Sequence, residues 1–189
     1  MESTANYLLL VNEEHSVPEN FLDTVRLITV PNGFGESIQI EEKAYEAFLR
    51  LRQDLLDNDN LQIELLNSYR SIQQQIEAVE RNLRIYGPEH TKKYVAIPGH
   101  SEHHTGLAMD VSILQDGTLP WARPELLAMD TLYQTVHKKL PLYGFILRYP
   151  EGKTPITKIG YEPWHFRYID SPEIAKELTD KGLCFEEYF

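Results

Sequence analysis

The stretch Ser101-Glu102-His103-His104-Thr105-Gly106-Leu107-Ala108-Met109-Asp110-Val111-Ser112-Ile113 decides how this chain is read. From Leu107 to Ile113 the odd positions are large and apolar, and the even ones are small or polar. Such alternation predicts a half-buried strand with Leu107, Met109, Val111 and Ile113 in the core. Asp110 then points to the opposite face, beside a side chain no larger than Ala108, which leaves room for something to bind. His103 lies in the preceding loop, and Gly106 permits a tight backbone path between the two. Imidazole and carboxylate are both good zinc ligands, and a catalytic zinc takes three protein ligands and one water. His104 is a rival to His103, and adjacency alone does not choose between them. The plainer alternative is a turn-capping Asp110 and a surface His103.

Farther along, Glu162-Pro163-Trp164-His165-Phe166-Arg167-Tyr168 alternates again, aromatic against polar. Pro163 biases Glu162 toward an extended conformation. Trp164, Phe166 and Tyr168 share one face, which puts His165 with Arg167 on the other. His165 is therefore the candidate third ligand. Glu162 precedes it closely enough to reach a water at the metal and act as general base. The alternative is a Glu that caps the strand start and a His satisfied within an aromatic cluster.

Upstream, Gln62 to Leu66 reads as a strand that delivers the chain to Asn67-Ser68-Tyr69-Arg70. A helix follows with the stripe Ile72, Ile76, Val79 and Leu83, stopped by Gly87-Pro88. Gln75 falls inside that stripe and should point inward, where its polar atoms require partners. An inward Arg70 can hold a substrate carboxylate or stabilise an oxyanion. It can equally pair with an internal carboxylate while Gln75 bonds to backbone.

Other elements fill in the class. Tyr7 to Val11 and Val25 to Val30 read as strands or extended arms. Ala44, Phe48, Leu51 and Leu55 form the stripe of an amphipathic helix from Glu41 to Leu56, ended by the run Asp57 to Asn60. Pro124 opens a third helix through Leu126, Met129, Tyr133, Val136 and Leu140. Tyr143 to Tyr149 reads as a strand. Ser171 caps a last helix that Gly182 stops. Helices and strands come in runs, so the expected class is α+β with a mainly antiparallel central sheet flanked by helices.

The chain has 189 residues, 42% of them apolar and 25% charged, an ordinary globular composition for one domain spanning 1–189. The net charge of −11 counts against nucleic acid as a partner. The single cysteine, Cys184, excludes an internal disulfide and any multi-cysteine zinc cluster. No apolar run approaches the roughly 20 residues of a membrane span. The first apolar run is short and lacks a preceding positive region. The expectation is a cytoplasmic protein, unless a leader was removed before this numbering begins.

Together these segments resemble the zinc D-alanyl-D-alanine carboxypeptidase family, the VanY-like branch of the D,D-peptidases. The pattern Ser-x-His-x-x-Gly-x-Ala-x-Asp matches Ser101, His103, Gly106, Ala108 and Asp110, and Glu-Pro-Trp-His matches Glu162 to His165. Tyr-Arg-Ser with a later Gln matches Tyr69, Arg70, Ser71 and Gln75. Tyr143 to Pro150 also looks like the family's approach to its last site segment. Ser68 departs from the pattern, standing where relatives usually carry Gly. The resemblance covers about Leu8 to Tyr168 and implies a Hedgehog/D,D-peptidase fold. It implies His103, not His104, as the ligand beside Asp110 and His165, with one zinc ion per chain. Glu162 is implied as base and Arg70 as the residue that binds and polarises substrate. Gln75 and Ser101 are implied as weaker substrate contacts. The implied substrate is a peptidoglycan stem peptide or a D-Ala-D-Ala-containing precursor, losing its terminal D-alanine.

A D,D-dipeptidase, a bifunctional VanXY-type enzyme and an L,D-carboxypeptidase share this machinery. The last alternative is a zinc-stabilised binding module without hydrolysis.

Overall fold

The computed structural model describes residues 5–189. Its centre is a four-stranded antiparallel sheet. The strands are β3 (Ile63–Asn67), β4 (Ala108–Ile113), β5 (Phe145–Leu147) and β6 (His165–Tyr168), in the order β3-β4-β6-β5. Strands β1 (Leu27–Pro31) and β2 (Ser37–Glu41) form a separate hairpin. The helices are α1 (Glu42–Asp59), α2 (Ile72–Tyr94), α3 (Arg123–Ala128), α4 (Asp130–Lys139), α5 (Thr154–Thr157) and α6 (Pro172–Lys181). The expected α+β class with a mainly antiparallel sheet is the one the chain adopts.

The period-two pattern of β4 builds the main core. Leu107, Met109, Val111 and Ile113 are completely buried, together with Phe166 from β6, against Phe48, Leu51 and Leu55 of α1 and Tyr133 and Val136 of α4. The opposite face carries Asp110, His165 and Arg167, and residues 7–11 and 185–188 cover part of it. There Ile146, Ala175, Leu178 and Phe185 form a second cluster, joined by Leu8 and Leu10.

Several expected boundaries move, each for a local reason. Tyr7 to Val11 lies outside any sheet: it opens in a turn closed by the Leu9 N–H on the Asn6 carbonyl, and its carbonyls accept from buried arginines. The strand expected over Val25 to Val30 is β1, and its partner β2 was hidden by running directly into α1. Glu41 ends β2 and also caps α1, its carboxylate accepting the Ala44 N–H at 2.8 Å. Gly87 (φ 80°, ψ 173°) breaks α2 where expected, but the helix resumes at Pro88 and reaches Tyr94. The helix expected from Pro124 to Leu140 is two, because the chain turns at Met129 and α4 restarts behind it. The strand expected over Tyr143 to Tyr149 shrinks to β5, since Leu140–Tyr143 forms a 3-10 turn closed by Gly144 at φ 74°. No helix among the described residues is long and apolar enough to cross a membrane.

Candidate metal centre and active site

Two of the three candidate ligands meet by strand register. Asp110 of β4 lies directly opposite His165 of β6 in the antiparallel ladder, so their side chains emerge together on the face away from the main core. His103 enters from the 3-10 turn Glu102–Thr105 just before β4. Gly106 closes that turn at φ 72°, and a Cβ there would stand 2.5 Å from the Leu27 side chain. Only glycine meets both demands without movement.

The triad is compact. His103 Nε2 is 3.4 Å from Asp110 Oδ2, and His165 Nδ1 is 3.1 Å from Asp110 Oδ1. One nitrogen or oxygen from each of the three residues lies within 4.8 Å of the others, a spacing that suits a shared cation. His103 Nδ1 lies 2.7 Å from the Ser68 carbonyl, which can only accept, so it carries the proton and leaves the Nε2 lone pair toward Asp110. His104 is used differently. Its Nδ1 donates to the Arg70 carbonyl at 2.6 Å, and its Nε2 accepts the Gly99 N–H at 3.1 Å. Both ring nitrogens are taken by backbone, so His104 has none to offer a metal. Ser68 fits its place because its hydroxyl donates to the Ala108 carbonyl at 2.8 Å.

Glu162 sits beside the triad, with Oε2 3.9 Å from His165 Nδ1. Its other oxygen accepts from Arg123 Nη1 at 3.1 Å. Arg123 also donates to the Tyr161 carbonyl at 2.8 Å and lies over the Tyr94 ring, 3.6 Å from its centroid. On another wall, Arg70 Nη2 is 4.0 Å from Asp110, and its Nη1 donates to Gln75 Oε1 at 2.8 Å. The buried Gln75 amide donates in turn to the Ala96 carbonyl at 2.6 Å. Gln75 therefore reaches the site through Arg70. Ser101, also buried, lines the same cleft. Its volume is about 470 Å³, and all seven residues singled out from the sequence line it.

Burial and charge set the protonation states. Burial pushes His103 down to about 3, so its ring is neutral at pH 7. Burial alone would raise Asp110, but His103 and the hydrogen-bonded His165 hold its carboxylate well below the usual range. Burial would likewise lower His165, but the carboxylates of Asp110 and Glu102 raise it to about 9. Glu162 is pushed up to about 7, mainly by burial, with His165 and Arg123 opposing the rise and Asp110 adding to it. A carboxyl of that kind is suited to proton transfer near neutral pH.

Sequence reasoning missed Arg123, Tyr149 and Glu102. Tyr149 packs on the His165 ring at 4.8 Å between centroids. Glu102 is completely buried behind the site and pairs with Arg148 at 2.8 Å and Arg167 at 2.7 Å. A signal for Glu102 was in view, since it stands next to His103. None existed for Arg123, which joins Glu162 across 39 residues.

A family model described as VanY, D-alanyl-D-alanine carboxypeptidase, matches residues 37–171. The chain is 35% identical over 188 residues to VanXYC of Enterococcus gallinarum, a bifunctional D-Ala-D-Ala dipeptidase and carboxypeptidase. That match covers 97% of this chain and 93% of the relative. Among solved structures, the LD-carboxypeptidase LdcB superposes with a TM-score of 0.81 at 34% identity, covering 98% of this chain and 86% of LdcB. A variant of the D,D-pentapeptidase VanY from a VanB-type resistance cassette, in complex with Zn(II), superposes with a TM-score of 0.76 at 27% identity. It covers 100% of this chain and 99% of that one.

Proposed function

The chain belongs to the VanY family of D-alanyl-D-alanine carboxypeptidases, and from that premise we propose that it removes the terminal D-alanine from peptidoglycan stem peptides or their precursors. In this reading His103, Asp110 and His165 hold one zinc ion. The donor set supports it: a neutral imidazole, a carboxylate and a second imidazole converge with their ligand atoms turned inward. The observation that carries the reading is the Glu162 carboxylate, buried and beside that triad in the same cleft. A zinc site that served structure alone would have no use for it.

Bound zinc supplies Lewis acidity, which polarises the scissile carbonyl and makes a water acidic, with a pKa of roughly 7. Glu162 takes a proton from the attacking water and later delivers it to the departing amine of D-alanine. Arg70, held in place by Gln75, faces the negative charge that grows on the carbonyl oxygen. Arg123 keeps the Glu162 carboxylate turned toward the triad. Ser101 contributes to the wall against which the peptide lies.

A second reading adds cleavage of free D-Ala-D-Ala, favoured by the near full-length likeness to the bifunctional VanXYC. One experiment addresses both. The protein and Glu162→Ala are incubated with dipeptide, tetrapeptide and pentapeptide precursors, and released D-alanine and bound zinc are measured. The expected result is release from the pentapeptide. Turnover should fall by about 10²–10⁴-fold in Glu162→Ala, with its zinc content unchanged. No D-alanine from any substrate, or undiminished turnover in the variant, would overturn the proposal.

A further inference from the structure

Two of the three buried side-chain polar atoms that lack a hydrogen-bond partner among the described residues are Glu102 Oε2 and His165 Nε2. They face one another at 3.8 Å. Neither has an alternative partner. The other oxygen of Glu102 is taken by Arg148 Nε and Arg167 Nη1, and the other nitrogen of His165 faces Asp110.

We propose that Glu102 is a positioning residue for the metal centre, accepting the Nε2–H of His165 and so fixing that ring with Nδ1 toward the metal. A histidine that gives its Nδ1 lone pair to a metal carries its proton on Nε2, and a buried N–H needs an acceptor. Glu102 Oε2 is the acceptor at hand, and about 1 Å of movement brings the pair to hydrogen-bond length. The surroundings hold the carboxylate in that place. Arg148 is itself anchored by the Glu186 carboxylate at 2.7 and 2.9 Å, and Arg167 by the Tyr7 and Leu9 carbonyls at 3.1 and 2.8 Å. Both arginines are completely buried. Glu102 touches neither the ligand face of the triad nor the water that Glu162 would activate. Its action runs through His165.

The inference rests on the metal reading above, and its test keeps the two apart. Zinc affinity is measured by chelator competition on wild-type protein, Glu102→Gln and Glu102→Asp, alongside urea denaturation. Gln keeps the shape and weakens the acceptor. Asp keeps the charge for both arginines and withdraws the oxygen from His165. The expected outcome is a loss of about 10–100-fold in zinc affinity in either variant that remains folded. In ¹⁵N-histidine spectra of the zinc-loaded wild type, His165 should carry a proton on Nε2 that exchanges slowly with solvent. That signal should move upfield and exchange faster in the variants. The spectrum of the wild type alone is decisive if neither variant folds: an unprotonated or freely exchanging Nε2 overturns the inference. Equal affinity in wild type and variants also overturns it while leaving the metal reading intact. A wild type that takes no zinc overturns the metal reading itself.

Discussion

At the scale of single residues, Arg123 is one of the charges that tune Glu162. Its guanidinium holds the Glu162 carboxylate at 3.1 Å and opposes the rise that burial imposes. A base works ionised, so activity is lost as pH falls through the carboxyl's pKa. That value is about 7 for the residues alone, and a dication in the triad draws it lower. Arg123→Met removes one of the positive charges that favour the ionised form. The acid limb of the kcat/KM profile should therefore move to higher pH, with a larger loss at pH 6 than at pH 8. Equal losses at both would mean that Arg123 acts on something other than the base. His104 shows the same dependence on neighbours. Its immediate context left it a rival to His103 until the family pattern favoured His103, and the Gly99 and Arg70 backbone groups supply the physical reason.

At the scale of elements, the alternation of β4 and β6 was legible because each strand buries one apolar face. The pairing that sets Asp110 against His165 is a register, and no pattern within either strand specifies it. Helix ends were legible at α6, where Ser171 accepts the Ile174 N–H and Gly182 follows the last turn, whereas the cap of α2 was not read. Ser71 caps α2 in a reciprocal box with Gln74, its hydroxyl accepting one backbone N–H while Gln74 accepts another. Ser71→Ala should cost about 1 kcal/mol in urea denaturation. It should leave zinc binding intact, because Arg70 and Gln75 keep their own contacts. The turn at Met129 carried no such signal. Leu126, Met129, Tyr133 and Val136 continue one helical stripe across it, and all four reach the same core.

At the scale of the whole molecule, two segments far apart in sequence, residues 7–11 and Phe185–Tyr188, close the back of the His103–Asp110–His165 triad. The arm from Tyr7 to Val11 supplies three carbonyls to Arg167 and Arg148, and the segment Phe185–Tyr188 supplies Glu186 to Arg148. Removing residues 1–11 would strip these acceptors from buried cations and uncover the Leu8 and Leu10 contacts. Hydrogen bonds to charged groups contribute about 1.5–3 kcal/mol each. The truncated chain should therefore lose roughly 4.5 kcal/mol or more in chemical denaturation, and weaken in zinc affinity with it. Unchanged stability would mean that water replaces the arm without cost.

The sequence by itself determined the residue types that meet in the cleft, the half-buried strands that present two of them and the α+β class. These are local properties, written in residue type and in periodicities of a few positions. The tertiary structure alone decided that both ring nitrogens of His104 are taken by backbone, that Arg123 holds Glu162, and that Glu102 stands behind His165. It also decided that residues 7–11 and Glu186 anchor the two arginines paired with Glu102. The physical reason is range. The Arg123–Glu162, Glu102–Arg148 and Glu102–Arg167 pairs join residues 39, 46 and 65 positions apart. Whether two charges so far apart meet in the interior depends on how whole elements pack, and that is settled only when the chain has folded.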